Sequence, residues 1–562
     1  MTATFTGVHA HDHHLPDWSE AAWTREVEEL RGLRERLDRE WPAPPRVEAL
    51  ADDPARLDAE LARANIDVRI AERASGFFQE RNPALFTGEA IFGLVSLMSR
   101  DFAPAPSRIE ALHSRLLAIP TFLEAMRAVI RGPVPALWVE KAQRECTAAC
   151  ELLEVGLPAW LHTAATANAA TANAATADGT TLQTHGVLDM AVASATDAFT
   201  AASEWLQGVE MAEPAAYAAG PDLLELLLRR GHWCEETPRA LLARAEQVMH
   251  AEQERLASML EAFGGDWSAA QRAMAEDRPT VDDYYGVFRK RWDEVREAAQ
   301  RADIVTWPEW PIRYVPIPAW ARSAQPQLYW LFYRSPAPFD PYTEYEYVVT
   351  PIECDMPADE QDRRLRAWNH SVITLNHVVH HGGIGHHVQN WHAIHRSSSR
   401  VGTVAAVDAA SRSGMFLGGT MAEGWACYAT QLAEELGVLT PLEQLSEQHT
   451  RVRLLARALV DLGLHLGDWS FDACAAFYQS TVGMTAAVAR AETTKNSMFP
   501  GTALMYWLGT STILETRERL RHAMGDAFSL KAFHDALLSR GAIPVPLAVA
   551  LVHTDLRAST PS

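Results

Sequence analysis

His377-Val378-Val379-His380-His381-Gly382-Gly383-Ile384-Gly385-His386-His387-Val388-Gln389 sets five histidines and three glycines in thirteen positions. Neither a solvated helix nor an ordinary core helix selects that composition. Neutral imidazole is the commonest protein ligand for zinc and similar borderline metals, so the run marks a metal site once a carboxylate joins it. Glu423, in Glu423-Gly424-Trp425-Ala426-Cys427-Tyr428, is the expected partner.

Two ligand geometries run through this stretch. His377 and His381 lie four apart, so an unbroken helix puts both on one face, as in the metalloprotease signature. His380 and His386 lie six apart, about 600° of helical rotation, and share a site only if the helix breaks between them. Gly382, Gly383 and Gly385 supply that break, because glycine tolerates the positive φ of a sharp reversal. The second pair is favoured, with His377 and His387 as competing ligands.

His380-His381-Gly382-Gly383-Ile384-Gly385-His386-His387-Val388-Gln389, followed by Glu423-Gly424-Trp425-Ala426-Cys427-Tyr428, resembles the domain of unknown function 885 family, relatives of the gluzincin metallopeptidases. The family reads His-Glu-x-x-Pro-Gly-His-x-x-Gln and then Glu-Gly-Trp-Ala-x-Tyr. The resemblance continues through Val460-Asp461-Leu462-Gly463-Leu464-His465, Pro500-Gly501-Thr502-Ala503-Leu504-Met505-Tyr506, Gly525 to Phe528 and Phe533-His534-Asp535. It is close over roughly the last 200 residues and loose over the first 300. It implies a large helical metallopeptidase-like fold, with His380, His386 and Glu423 holding one divalent metal, zinc first and iron or manganese behind it. It also raises His465 as a residue of the cleft.

The chain departs from that pattern where the family carries its general-base glutamate and this sequence has His381. An imidazole of ordinary pKa about 6.5 is readily neutral, whereas a carboxylate near 4 stays charged, so His381 is read as a proton shuttle or a further ligand. Other departures are Ile384 for proline, Lys495-Asn496 for arginine-tyrosine, Thr502 for glutamine and Thr430 for glutamate. Tyr506 is a candidate hydrogen-bond donor to a developing oxyanion, and Lys495 a candidate carboxylate anchor.

The formal charge of −22 is spread along all 562 residues. No basic stripe suits nucleic acid or anionic lipid, and a small-molecule or peptide substrate is the expected partner. The start Met1-Thr2-Ala3-Thr4-Phe5-Thr6 is unlike a secretory signal, and no segment approaches about 18 uninterrupted apolar residues. A soluble, cytoplasmic protein is expected. The six cysteines are scattered without a Cys-x-x-Cys, so no zinc ribbon or disulfide framework is indicated.

Three stretches are expected: a helical region over 1–300, a small β-containing segment over 301–356, and a helical metal-site region over 357–562. In the first, residues 1–17, with His9, His11, His13 and His14, read as a frayed tail, and 163–180, with its Thr-Ala-Asn-Ala-Ala repeat, as an exposed low-complexity insert. Leu30, Leu33 and Leu37 mark the buried face of an amphipathic helix over 18–41, and Asp53-Pro54 and Thr237-Pro238 mark helix starts. Aromatic runs at 327–333 and 344–349 read as strands. Residues 397–419 read as a loop or lid. The functional expectation is a metal-dependent hydrolase of peptide or amide bonds lacking the usual glutamate. The alternatives are a lyase, cyclase or oxygen-dependent enzyme of small molecules, and a protein that keeps the metal without catalysis.

Overall fold

Helix starts are where local chemistry leaves the plainest record. Asp53 accepts from the Arg56 N–H at 3.0 Å ahead of the helix Pro54–Ser75, and Thr237 accepts from Ala240 at 3.3 Å ahead of Pro238–Glu261. In each the proline sits where its missing N–H has no role to fill. Thr440 and Glu443 close a reciprocal capping box on Pro441–His465. The computed structural model describes residues 2–558 except 45, 79, 172–179, 323–332, 335–336, 341–344 and 406–411. The chain is mostly helical. The low-complexity repeat beyond 171 and the aromatic run 327–332 lie outside the described residues.

A small sheet interrupts the helices before the histidine stretch. Strands β1 (Ile312–Pro316), β2 (Tyr333–Arg334) and β3 (Tyr345–Val349) lie in the order β1-β3-β2, with β3 parallel to β1 and antiparallel to β2. Ile312 pairs with Tyr345 and Val315 with Val348. Tyr345, Tyr347 and Val349, alternate residues on β3, are fully buried, as one face of a pleated strand packed on a core requires.

Among the described residues there are two large apolar cores and a minor one, and each large core joins residues from more than one of the three stretches. The first joins residues from Trp23 to Met274 with Leu445 to Leu508. The second joins Leu50, Leu57 and Leu61 with Tyr284 to Val305, the sheet, the histidine stretch and Ile513 to Val552. The surroundings of the histidine stretch therefore come from both ends of the chain.

Residues 2–17 are tied down, contrary to the frayed tail expected. Thr4, fully buried in the helix Thr2–Thr6, donates to Asp12 at 2.6 Å and accepts from Arg115 at 2.8 Å. His9 lies between Asp12 (2.8 Å) and Asp340 (2.5 Å) and stacks on Phe102. A buried arginine and two carboxylates need those partners, and that requirement holds the segment. The leucine stripe of Glu20–Glu40 is also not a core face. Only Trp23 is buried there, Leu33 is exposed, and the helix is held by Glu26 to Arg73 and Arg34 to Asp67. Among the described residues no helix is long and apolar enough to cross a membrane.

Candidate metal centre

The histidine stretch begins as a π-wound helix. Asn369 caps the short turn His370–Val372 through the Val372 N–H at 3.1 Å, and the backbone then winds with i→i+5 bonds over Ile373–Gly382 before the helix His386–His395 begins. The corner between them turns without a positive φ at any of its glycines: Gly383 has φ −97°, ψ −116° and Gly385 φ −72°, ψ −123°. This corrects the reason for the glycines. They are needed for close approach, since a Cβ on Gly385 would overlap the His380 carbonyl oxygen and one on Gly382 would overlap the Tyr314 hydroxyl. Two indoles clamp the corner's carbonyls. Trp292, from Tyr284–Arg301, donates to Gly382 O, and Trp425 donates to Ile384 O at 2.9 Å.

That corner brings His380 and His386 together, with ring centroids 4.9 Å apart. Glu423, on the helix Arg412–Glu435, places Oε2 3.3 Å from His380 Nε2 and 3.7 Å from His386 Nε2. This carboxylate oxygen is buried and makes no well-aligned hydrogen bond. Burial would push the Glu423 carboxyl up, but His380, His386 and the Lys495 ammonium outweigh it and hold the group down to about 2. Burial takes the His386 imidazole down to about 4, against the pull of Glu423. His381 joins the cluster, one ring nitrogen from each of His380, His381 and His386 lying within 4.8 Å of the others. A buried carboxylate oxygen facing two imidazole nitrogens is a donor set that fits a borderline divalent cation.

The competing ligands point elsewhere. His377 Nδ1 is hydrogen-bonded to the Tyr347 hydroxyl of β3, and its ring stacks on Trp368 at 4.1 Å. His387 Nε2 donates to Trp310 O at 3.1 Å and His392 Nε2 to Thr306 O at 2.9 Å. Cys427 Sγ lies 3.9 Å from His380 Nδ1, behind the ring, and burial raises its thiol well above the ordinary range. It is thus a protonated neighbour of a ligand candidate.

His465 does not have the cleft-facing position expected of it. It is fully buried, its Nε2–H donates to Asn496 O at 3.0 Å, and its Nδ1 accepts from the Ala219 N–H at 3.2 Å. Both nitrogens serve the main chain, so the residue is a structural cross-link. One turn earlier Asp461 accepts from Gly501 N–H at 2.9 Å and Leu504 N–H at 3.0 Å, which ties the stretch Val460 to His465 to the stretch Pro500 to Tyr506. Lys495, on Ala486–Met498, is within electrostatic reach of Glu423. Tyr506, in the first turn of Met505–Met524, lies under the Arg457 guanidinium at 5.2 Å.

A Cβ on Gly424 would come within 2.6 Å of Gly509 Cα, so Gly424 lets Arg412–Glu435 and Met505–Met524 touch along their backbones. Trp425 is the corner clamp. Tyr428 donates to His534 Nε2 at 2.9 Å, and His534 Nδ1–H donates to Ile304 O at 2.7 Å, tying the site helix to the chain before the sheet. Trp292 and Tyr347 were not foreseen as site residues, and only their aromatic character in otherwise unremarkable stretches could have drawn notice. Part of 397–419 is helical, Arg400–Val404 being capped by Ser399, and 406–411 lies outside the described residues.

A family model described as "Bacterial protein of unknown function (DUF885)" matches residues 1–552. Among solved structures, a candidate lipoprotein of unknown function from Shewanella oneidensis is 18% identical with a TM-score of 0.71, the alignment covering 98% of this chain and 96% of that one. A candidate lipoprotein from Colwellia psychrerythraea is 15% identical with a TM-score of 0.76, covering 99% and 96%. At such identities the likeness is one of fold. No curated protein matches. The cytoplasmic location expected from the sequence finds no support in these relatives.

Proposed function

The chain belongs to the DUF885 family, and on that premise we propose that it is a metal-dependent enzyme of atypical metallopeptidase-like type, acting on a peptide or other amide bond. His380, His386 and Glu423 would hold one divalent metal, zinc first and iron or manganese behind it. The observation that carries the reading is the buried Glu423 Oε2, turned to two Nε2 atoms at 3.3 and 3.7 Å with no well-aligned hydrogen bond of its own. When bound, the metal supplies Lewis acidity towards a carbonyl or similar oxygen. The protein's own part is to keep Glu423 charged through His380 and His386 with Lys495 adding to them, to hold His386 neutral by burial, and to fix the corner through Trp292 and Trp425. Tyr506 and Lys495 remain the proposed donor and anchor for substrate oxygens.

A second reading is favoured by His381, which stands where a general-base carboxylate belongs. It is a non-hydrolytic enzyme of small molecules, a lyase, cyclase or oxygen-dependent enzyme, or a catalytically silent metal binder. Elemental analysis of protein purified without added metal tests the common premise. About one metal ion per chain, lost in His386→Ala, is the expected result, and a metal-free wild type that takes up no zinc on dialysis overturns it. Turnover of a mixed peptide and acyl-amide library by the loaded protein then separates the hydrolytic reading from the second.

A further inference from the structure

We infer that His381 is itself a metal ligand, so that the shell is three imidazoles and a carboxylate. The inference rests on the metal-site reading above and adds to it the donor that replaces the family's base. Three observations carry it. One nitrogen each from His380, His381 and His386 falls within a single 4.8 Å group, and His380 and His386 are the pair that Glu423 Oε2 faces. The ring centroid of His381 lies 4.7 Å from that of His380 and 5.3 Å from that of His386, close to the 4.9 Å between those two. The three rings are therefore mutual neighbours, with one nitrogen of each close enough to share an ion.

The third observation fixes the tautomer. His381 Nδ1 lies 2.6 Å from the main-chain carbonyl oxygen of Asn376. A carbonyl oxygen only accepts, so Nδ1 carries the proton and donates it, and Nε2 holds the lone pair. Ligating histidines are held in this way, one nitrogen donating to a carbonyl or carboxylate and the other binding. Winding the backbone over Ile373–Gly382 as a π-helix pairs residue i with i+5, the Asn376–His381 spacing, so the bulge that reshapes this helix is also what presents the ring.

The consequence concerns open positions. A glutamate at 381 would leave three protein donors and a free fourth site on a tetrahedral ion. Three imidazoles and Glu423 fill a four-coordinate shell, and leave two sites only on an ion that accepts six ligands, such as iron(II) or manganese(II). A zinc held by these four donors would have to expand its shell to meet a substrate oxygen, whereas iron(II) or manganese(II) would not.

X-ray absorption of the zinc-loaded full-length protein counts imidazoles directly. Three per zinc are expected in the wild type and two in His381→Gln, with a loss of zinc affinity of about 100-fold or more, beyond the ~10–100-fold that neighbours of ligands carry. Two imidazoles in the wild type, or an unchanged spectrum and affinity in His381→Gln, overturn the inference while leaving the metal site standing. A wild type that takes up no zinc overturns the metal-site reading itself, and His386→Ala is the control for that arm. The wild-type count holds even if the variants misfold.

Discussion

Trp425 donates its indole N–H to the carbonyl of Ile384 across 2.9 Å, so the helix that carries Glu423 is bonded to the corner that turns His386 towards His380. Carboxylate and imidazoles are thereby positioned by one contact, in the fully buried ring of Trp425 and the fully buried Ile384. That contact separates structural from chemical contributions to metal binding.

Replacing Trp425 with phenylalanine keeps an aromatic ring but strands the Ile384 carbonyl. A buried acceptor left unmade costs about 1–3 kcal/mol. Urea unfolding should show a loss of that size, and zinc affinity should fall although no ligand has changed. Equal midpoints for variant and parent would disprove the clamp.

Gly385→Ala places a methyl against the His380 carbonyl oxygen, where no flexible side chain can yield. Overpacking of this kind costs about 1–3 kcal/mol, and relief requires the corner to open. Zinc uptake by the purified variant should be lost or strongly weakened. Gly32→Ala, inside the helix Glu20–Glu40 where a Cβ meets nothing within 4 Å, should leave zinc uptake unchanged and raise stability by up to about 1 kcal/mol.

Chelation should destabilise the wild type and not Glu423→Gln. Metal bound only by the folded chain adds about 4 kcal/mol at a thousandfold excess over its dissociation constant. Thermal melts with and without a chelator should therefore differ by several degrees in the wild type and coincide in the variant. A chelator-sensitive variant would show that Glu423 is dispensable for binding.

Acid should unfold the protein early. Burial depresses His232 and His387 to about 4, and His377 and His534 to about 3, so all four stay neutral in the folded state. Once unfolded they take up protons near the ordinary value of about 6.5, so the unfolded chain binds more protons and stability is lost as pH falls below it. Asp461 acts in the opposite sense. Burial raises it to about 7, so its contribution is present at low pH and is lost as pH rises through that value. Four histidines outweigh one carboxyl, and the unfolding free energy from urea titrations should drop by several kcal/mol between pH 7.5 and 5. In Asp461→Asn the drop should be steeper; a flat profile in the wild type would refute the assignment.

Much of the candidate site is legible along the chain. A histidine run broken by glycines, a distant Glu-Gly-Trp-Ala-x-Tyr and the six-residue spacing of His380 and His386 are local features, and the structure brings those three side chains together. The selection among five histidines is not local. His377 is drawn off by Tyr347 of β3 and Trp368, His387 by the carbonyl of Trp310, and His381 is oriented by Asn376 through π winding that no apolar period announces. His465 and the first seventeen residues were misread for the same reason, since their partners at Asn496, Ala219, Arg115 and Asp340 lie far away in the chain.

The amino-acid order alone dictates helix starts, the mostly helical class and which residue types can meet a metal, because capping, proline geometry and apolar period act between near neighbours. Folding decides which nitrogens turn to Glu423 and which face a carbonyl. A buried imidazole N–H needs an acceptor, and the groups that can accept come within reach only when Tyr284–Arg301, the sheet and Arg412–Glu435 close around the glycine corner.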